Sequence, residues 1–278
     1  MGRSKIGSEA LPRPFLKWAG GKRQLLPELL ARVPEPLGTF HEPFVGGGAL
    51  FFELSRLKRL GRASLSDQNP RLVATWRAVR DHVDPLIERL RQMPYEQDFY
   101  YAQRARDIDG EGELEIGAWF IYLNKTAFNG LYRVNSKGRH NVPFGRYSNP
   151  TICDEPALRA ASAALQGVDI QREDFAAVAE RAVAGDFVYF DPPYVPLTAS
   201  SNFTAYTADG FTSNDQVRLR DLALQLKGRG VRVLLSNSSS PAVEALYAEG
   251  FEVWRVPANR GINSKADARG AVDELIIA

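Results

Sequence analysis

Short apolar runs near residues 39–45, 63–67, 187–191, 231–236, 251–256 and 274–278 alternate with helical patterns at about 22–32, 48–60, 70–92, 213–228 and 240–249. Strands and helices taking turns in this way leave few architectures open: an α/β fold whose sheet is largely parallel and covered by helices on both faces. Between about 93 and 168 the alternation breaks. A helical piece at 112–127 leads there into NGLYRVNSKGRHNVPFGRYSNP, a stretch dense in Gly, Asn, Pro and Arg that reads as an inserted module, part helix and part loop. A chain of 278 residues has room for one large domain carrying such an insertion. Further on, INSKADARGAVDEL (262–275) has the composition of a mobile loop.

Several classes of function are set aside by composition. No apolar run approaches membrane-spanning length, and the opening MGRSKIGSEALPRP lacks the apolar core of a signal peptide, so a cytoplasmic protein is expected. Cys153 is the only cysteine and rules out a disulfide within the chain. His41, His82 and His140 are scattered without zinc-ligand spacing, so no metal is expected. The net charge of +2 hides an uneven distribution. Residues 121–150 carry Lys125, Arg133, Lys137, Arg139 and Arg146 with no acid, and the first thirty-two residues are also strongly basic. Clustered base of this kind suits a polyanion track, although a solvated basic face is the commoner meaning of such a cluster on its own.

Two stretches carry candidate chemistry. In DFVYFDPPYVPL (186–197) an apolar run, Phe187 to Phe190, ends on Asp191, Pro192, Pro193 and Tyr194. The prolines stop a strand whatever else they do, and Asp191 is a plausible turn cap. In TFHEPFVGGGALFFEL a strand meets a glycine turn and an apolar helix, the arrangement that lets a ligand approach backbone at the carboxyl end of a sheet. The third glycine of a dinucleotide fingerprint is missing, since Phe51 stands where it would be. Asp67, at the end of the next strand in LSDQNP, is placed to accept both hydroxyls of a ribose; the alternative is an N-cap for the helix that follows. FLKWAGGKRQLL is no phosphate loop, because Lys22 is followed by Arg23 rather than Ser or Thr.

Taken in order, LKWAGGK, EPFVGGG, SDQN, NKTAFNGLYRVN, NVPFGRY, DPPYVPL and NFTAYT resemble the Dam family of DNA adenine-N6 methyltransferases, an alpha-group amino-methyltransferase family, from about Pro14 to Ile277. The resemblance implies a doubly wound methyltransferase sheet with a reversed final strand. It divides the chain into a catalytic domain at 14–70 and 169–278 and an inserted, mainly helical target-recognition module at 71–168. It also implies S-adenosylmethionine as methyl donor, S-adenosylhomocysteine as product, and double-stranded DNA as substrate. Nothing in the sequence calls for a dimer, and a restriction endonuclease in the same system fits such an enzyme as a partner.

Residue by residue, the resemblance assigns donor contacts to Trp18, Lys22, Phe44, Gly46, Gly48, Asp67, Asp174, Phe175 and Asp191. The target amine of a flipped adenine would meet Asp191 and the carbonyl of Pro192, with Tyr194 stacked on the base. DNA would be met by Lys17, Asn129, Leu131, Arg133, Pro143, Arg146 and Tyr147. Lys137 and Arg139, which flank Gly138, are expected to hold phosphates. An exocyclic adenine amine is a poor nucleophile because its lone pair is delocalised. Two acceptors on its N–H bonds favour the tetrahedral nitrogen that develops during attack. The expected target is GATC. Cytosine N4 or an RNA amine would suit the same acceptor pair, although those enzymes usually replace the first Asp by Ser or Asn. A DNA-binding module without catalysis would not need Trp18, Lys22 or Asp67. Arg139 and His140 replace an acid and an aromatic common in the family, which puts positive charge near the duplex.

Overall fold

The computed structural model describes residues 10–18, 20, 22–194, 211–259 and 271–278. Ala19 and Gly21 of LKWAGGK, the NFTAYT stretch and residues 262–270 of the expected loop therefore lie outside the described residues. Seven strands form one sheet: β1 (Thr39–Glu42), β2 (Arg62–Asp67), β3 (Asp169–Arg172), β4 (Phe187–Phe190), β5 (Arg232–Ser238), β6 (Val253–Asn259) and β7 (Ala271–Ile277), in the order β3-β2-β1-β4-β5-β7-β6. The pairs β1–β2, β1–β4, β2–β3 and β4–β5 are parallel. β7 runs antiparallel to both β5 and β6, which is the expected reversal in an otherwise doubly wound sheet.

The apolar runs in β4, β5 and β7 are continuous because both faces of these strands are covered. Phe187, Tyr189, Leu234 and Ile276 face one core, and Val188, Phe190, Val233, Leu235, Leu275 and Ile277 face the other. The first core also takes Trp76, Ala78 and Val79 of the helix Pro70–Asp81 and Trp119 to Leu123 of the helix Glu113–Thr126. Those helices approach closely, since a Cβ on Gly117 would lie 2.7 Å from the Ala78 Cβ.

Four expectations need correction. The helix foreseen at 70–92 is two helices, Pro70–Asp81 and Val83–Arg91, broken at His82, where φ is −134°. β3 was not foreseen, since charged side chains fill it; it is an edge strand, and Arg77 donates to the Ile170 carbonyl at 2.7 and 2.9 Å. The helices Gln97–Ala105 and Glu155–Leu165 were also not foreseen. The final strand begins at Ala271, inside the segment read as a loop.

Chain order places the site. From β1 the chain winds outward to β2 and β3, then returns to β4 on the other side of β1. The carboxyl ends of β1 and β4 thus flank a topological switch point, where a crevice opens in a sheet of this kind. EPFVGGG leaves β1 at that point and DPPY leaves β4 beside it.

Candidate functional site

The glycine turn after β1 is shaped by two tryptophans. Gly46 and Gly48 have φ of 45° and 63°, in the left-handed region that favours glycine. A Cβ on Gly46 would sit 2.7 Å from Trp18 Cδ1 and Nε1, and one on Gly48 would sit 2.4 Å from Trp76 Cη2. Trp76 Nε1 donates to the Gly46 carbonyl at 3.1 Å. Trp18 stacks on Tyr132 and Phe120, at centroid distances of 6.0 and 6.3 Å, and so ties the turn to the inserted segment.

Asp67 ends β2 beside this turn. Its Oδ2 accepts from Gly46 N at 3.3 Å and its Oδ1 from Asn69 N at 2.9 Å. The N-cap of the following helix is Asn69, whose side chain accepts from the backbone of Arg71 and Leu72, so the capping role considered for Asp67 falls to its neighbour. Burial pushes the Asp67 carboxyl up to about 6, against the opposing pull of the backbone N–H groups of Asn69, Gly46 and Gln68. Phe44 stacks on Phe175 at 5.4 Å. Asp174 caps the turn at Phe175 through Ala176 N and accepts from Gln68 Nε2 at 2.6 Å and Arg218 Nη2 at 3.0 Å.

Asp191 lies at the centre of a buried charge cluster. Lys22, itself buried, places Nζ 2.8 Å from Asp191 Oδ1, and Ser236 Oγ donates to the same oxygen at 2.8 Å. Tyr189 OH lies 2.9 Å from Ser236 Oγ; since the Ser236 proton points at Asp191, Tyr189 is the donor. Both bonds that described residues make to Asp191 converge on Oδ1, which leaves Oδ2 for a ligand. Lys22 also donates to the Gly20 carbonyl at 2.7 Å, lies 4.5 Å above the Tyr194 ring and stands 4.0 Å from Glu274. Tyr194 OH donates to Glu274 Oε2 at 2.6 Å. Pro192, between Asp191 and Tyr194, is buried and brings no N–H.

This cluster sets the carboxylates Asp191 and Glu274 against the Lys22 ammonium, with the buried Glu42 close enough to feel Asp191. Burial, with the charge of Asp191 adding to it, holds the fully buried Glu42 well above the usual carboxylate range. Asp191 is also raised by burial, with Lys22 and Ser236 pulling the other way. Such a site is short of positive charge, and a donor carrying a sulfonium and an ammonium supplies it. With Asp67 at the neighbouring strand end, the residues present fit S-adenosylmethionine.

The basic insertion forms a local antiparallel ribbon, with isolated bridges Ala127–Phe144 and Val134–His140 and a bond from Phe128 N to the Pro143 carbonyl at 2.9 Å. Asn129, Pro143, Arg146, Lys137 and Arg139 are exposed; Leu131, Arg133 and Tyr147 are half-buried. Lys17 Nζ sits 5.0 Å from the Tyr147 ring centroid, and Asn124 holds the Lys17 backbone through bonds of 2.8 and 2.9 Å. Arg133 Nε donates to Asn141 Oδ1 at 2.7 Å, which aims the guanidinium and leaves its terminal nitrogens for another acceptor.

His140 departs from expectation. It is buried against Trp119 and Tyr132, and burial lowers its pKa to about 4, with Arg104, Arg71 and Arg133 adding repulsion. It is a neutral packing residue, so of the two departures only Arg139 adds charge at this turn. Sequence reasoning passed over Ser236, Tyr189 and Glu274, whose role depends on strand register. It also passed over Phe128, an aromatic 46% exposed beside Asn129, whose φ is 55°. An aromatic in a Gly/Asn-rich basic stretch was the signal available for Phe128.

Among the described residues no helix is long and apolar enough to cross a membrane, and no cluster of His, Cys, Asp and Glu is arranged to hold a metal ion. The profile of the D12 class N6 adenine-specific DNA methyltransferase family matches residues 18–262. The type II methyltransferase M1.LlaDCHI of Lactococcus lactis is 45% identical over 95% of this chain and 94% of its own length. The type II methyltransferase M.MjaIII of Methanocaldococcus jannaschii is 42% identical over 95% and 98%. The DNA adenine methylase of Haemophilus influenzae is 36% identical over 95% and 92%. The chain belongs to the N6 adenine-specific DNA methyltransferases of the D12 class.

Proposed function

We propose that this adenine-N6 DNA methyltransferase acts on GATC, with Asp191 and the Pro192 carbonyl as acceptors for the target amine. The observation that carries the catalytic assignment is the convergence of Lys22 and Ser236 on Asp191 Oδ1. It fixes the carboxylate through one oxygen and leaves Oδ2 for the target amine. S-adenosylmethionine, when bound, supplies an electrophilic methyl group on a sulfonium. Asp67 would hold its ribose, the Phe44–Phe175 pair and Asp174 its adenine, and Trp18, Gly46, Gly48 and Lys22 the remainder.

In the duplex the adenine amine is stacked and paired, so the base must be extruded. Tyr194 offers a ring for it to stack on, and the exposed Phe128 beside Leu131 is suited to filling the gap left in the helix. Asp191 Oδ2 and the Pro192 carbonyl take the two N–H bonds, raise electron density on nitrogen and favour its tetrahedral geometry. Asp191 is the group placed to receive the proton that the alkylated amine must lose.

The segment 71–168 serves as the recognition module, with residues 14–70 and 169–278 as the catalytic domain. GATC is supported by the resemblance to GATC-reading members at Asn129, Gly130, Leu131, Arg133, Arg146 and Tyr147, with Lys17 beside the donor-site turn, where it could reach an outer guanine. The bond from Arg133 Nε to Asn141 leaves the guanidinium's terminal nitrogens, which would suit a guanine O6/N7 pair. A palindromic four-base target allows a monomer to methylate each strand in a separate encounter. The type II names of two relatives favour a restriction endonuclease partner, in the cytoplasm. Methyl transfer to a panel of duplexes tests the assignment. Arg133→Ala should lose discrimination at one base pair by about 1–3 kcal/mol with donor affinity unchanged. Uniform weakening on every duplex would make Arg133 a backbone contact.

A further inference from the structure

Tyr194 stands four residues beyond Phe190, where β4 ends, so no strand ladder holds its ring. Two contacts do. Lys22 lies over one face at 4.5 Å, and Glu274 accepts the phenol proton at 2.6 Å. Glu274 comes from the other side of the sheet order, on the reversed strand β7, opposite Ser238 of β5 and Val256 of β6. Its parity puts it on the face of Ile276, the face that also carries Tyr189. Because β7 is antiparallel, its first residues lie at the carboxyl ends of the parallel strands, level with the crevice.

A buried carboxylate within the apolar run of β7 is costly unless it is paired. Among the described residues it faces the Tyr194 hydroxyl and, at 4.0 Å, the Lys22 ammonium that also binds Asp191. We propose that Glu274 is a positioning residue for methyl transfer, holding the Tyr194 ring at the angle on which the extruded adenine stacks. This rests on Tyr194 being the stacking platform. On this account the reversed strand contributes to catalysis through one side chain, and removing the hydrogen bond from either end has the same effect.

The test uses the full-length enzyme with a duplex carrying 2-aminopurine at the target base, whose fluorescence reports extrusion, together with kcat, KM for DNA and donor affinity. Glu274→Gln keeps an acceptor for Tyr194 and should stay within about threefold of the parent kcat. Glu274→Leu and Tyr194→Phe should each lower kcat at least tenfold and reduce the fluorescence change, and Tyr194→Phe, which leaves the charge of the site unchanged, should keep donor affinity within about twofold of the parent. The double variant should be no slower than either single one, which is the non-additivity expected of two ends of one bond. Should Glu274→Leu melt early, Tyr194→Phe and Glu274→Gln carry the comparison alone. Equal losses in Glu274→Gln and Glu274→Leu, multiplying losses in the double variant, or a parental kcat in Tyr194→Phe would overturn the role of Glu274. A parental rate in Tyr194→Ala would overturn the stacking platform itself, and this proposal with it.

Discussion

Replacing Asp67 by Asn should stabilise the ligand-free protein while weakening donor binding. The carboxyl is raised from 3.8 to about 6, chiefly by burial. At about 1.36 kcal/mol per unit, holding it ionised near pH 7.5 costs about 3 kcal/mol. The sign follows from proton linkage. Between 3.8 and about 6 the folded chain keeps a proton that the unfolded chain has released, so stability falls as pH rises through that window and stays reduced above it. Asparagine removes the charge, but its single carbonyl cannot serve both Gly46 N and Asn69 N, a loss of about 1 kcal/mol. The net gain is about 1–2 kcal/mol, or a few degrees in melting temperature for a chain of this size. Losing charge-assisted bonds to the ribose hydroxyls should raise the donor Kd at least about tenfold. Melting curves without ligand and calorimetric titration of S-adenosylmethionine between pH 5 and 8 measure both effects. The parent should bind the donor more weakly as pH drops below about 6, and Asp67→Asn should lack that component. A variant that melts lower without ligand and binds the donor as the parent does would refute the reasoning.

Two further outcomes follow from the insertion. His140, depressed to about 4 from 6.5, contributes stability that is fully present above 6.5 and is lost as pH falls toward 4. His140→Leu should therefore flatten the stability profile over that window by up to about 3 kcal/mol, as chemical denaturation at several pH values would show. Replacing Lys137 or Arg139 should weaken binding about equally on all duplexes and reduce the salt slope by roughly one charge; a changed target sequence at constant slope would make them base readers.

The fold was legible because β4, β5 and β7 are buried on both faces and carry short continuous apolar stretches, FVYF, VLL and LII. β3 was not, since Asp169, Gln171 and Arg172 make an edge strand look like loop, and its place is set by Arg77 and by β2. In the site, Asp191, Lys22 and Asp67 stand in recognisable strings beside prolines and glycines. Ser236 and Glu274 sit in ordinary apolar strands, and only the register of β4, β5 and β7 brings them to Asp191 and Tyr194. His140 could not be told from a charged surface residue without knowing that Trp119 and Tyr132 enclose it.

The most direct test is to map modified bases in DNA from cells expressing this chain, beside cells expressing Asp191→Ala. The account predicts N6-methyladenine at GATC in the first and none in the second, with the purified variant still binding duplex DNA. Methyladenine at GATC in the Asp191→Ala cells would contradict the mechanism. Methyladenine confined to another sequence, or N4-methylcytosine in its place, would contradict the target assigned to the recognition ribbon.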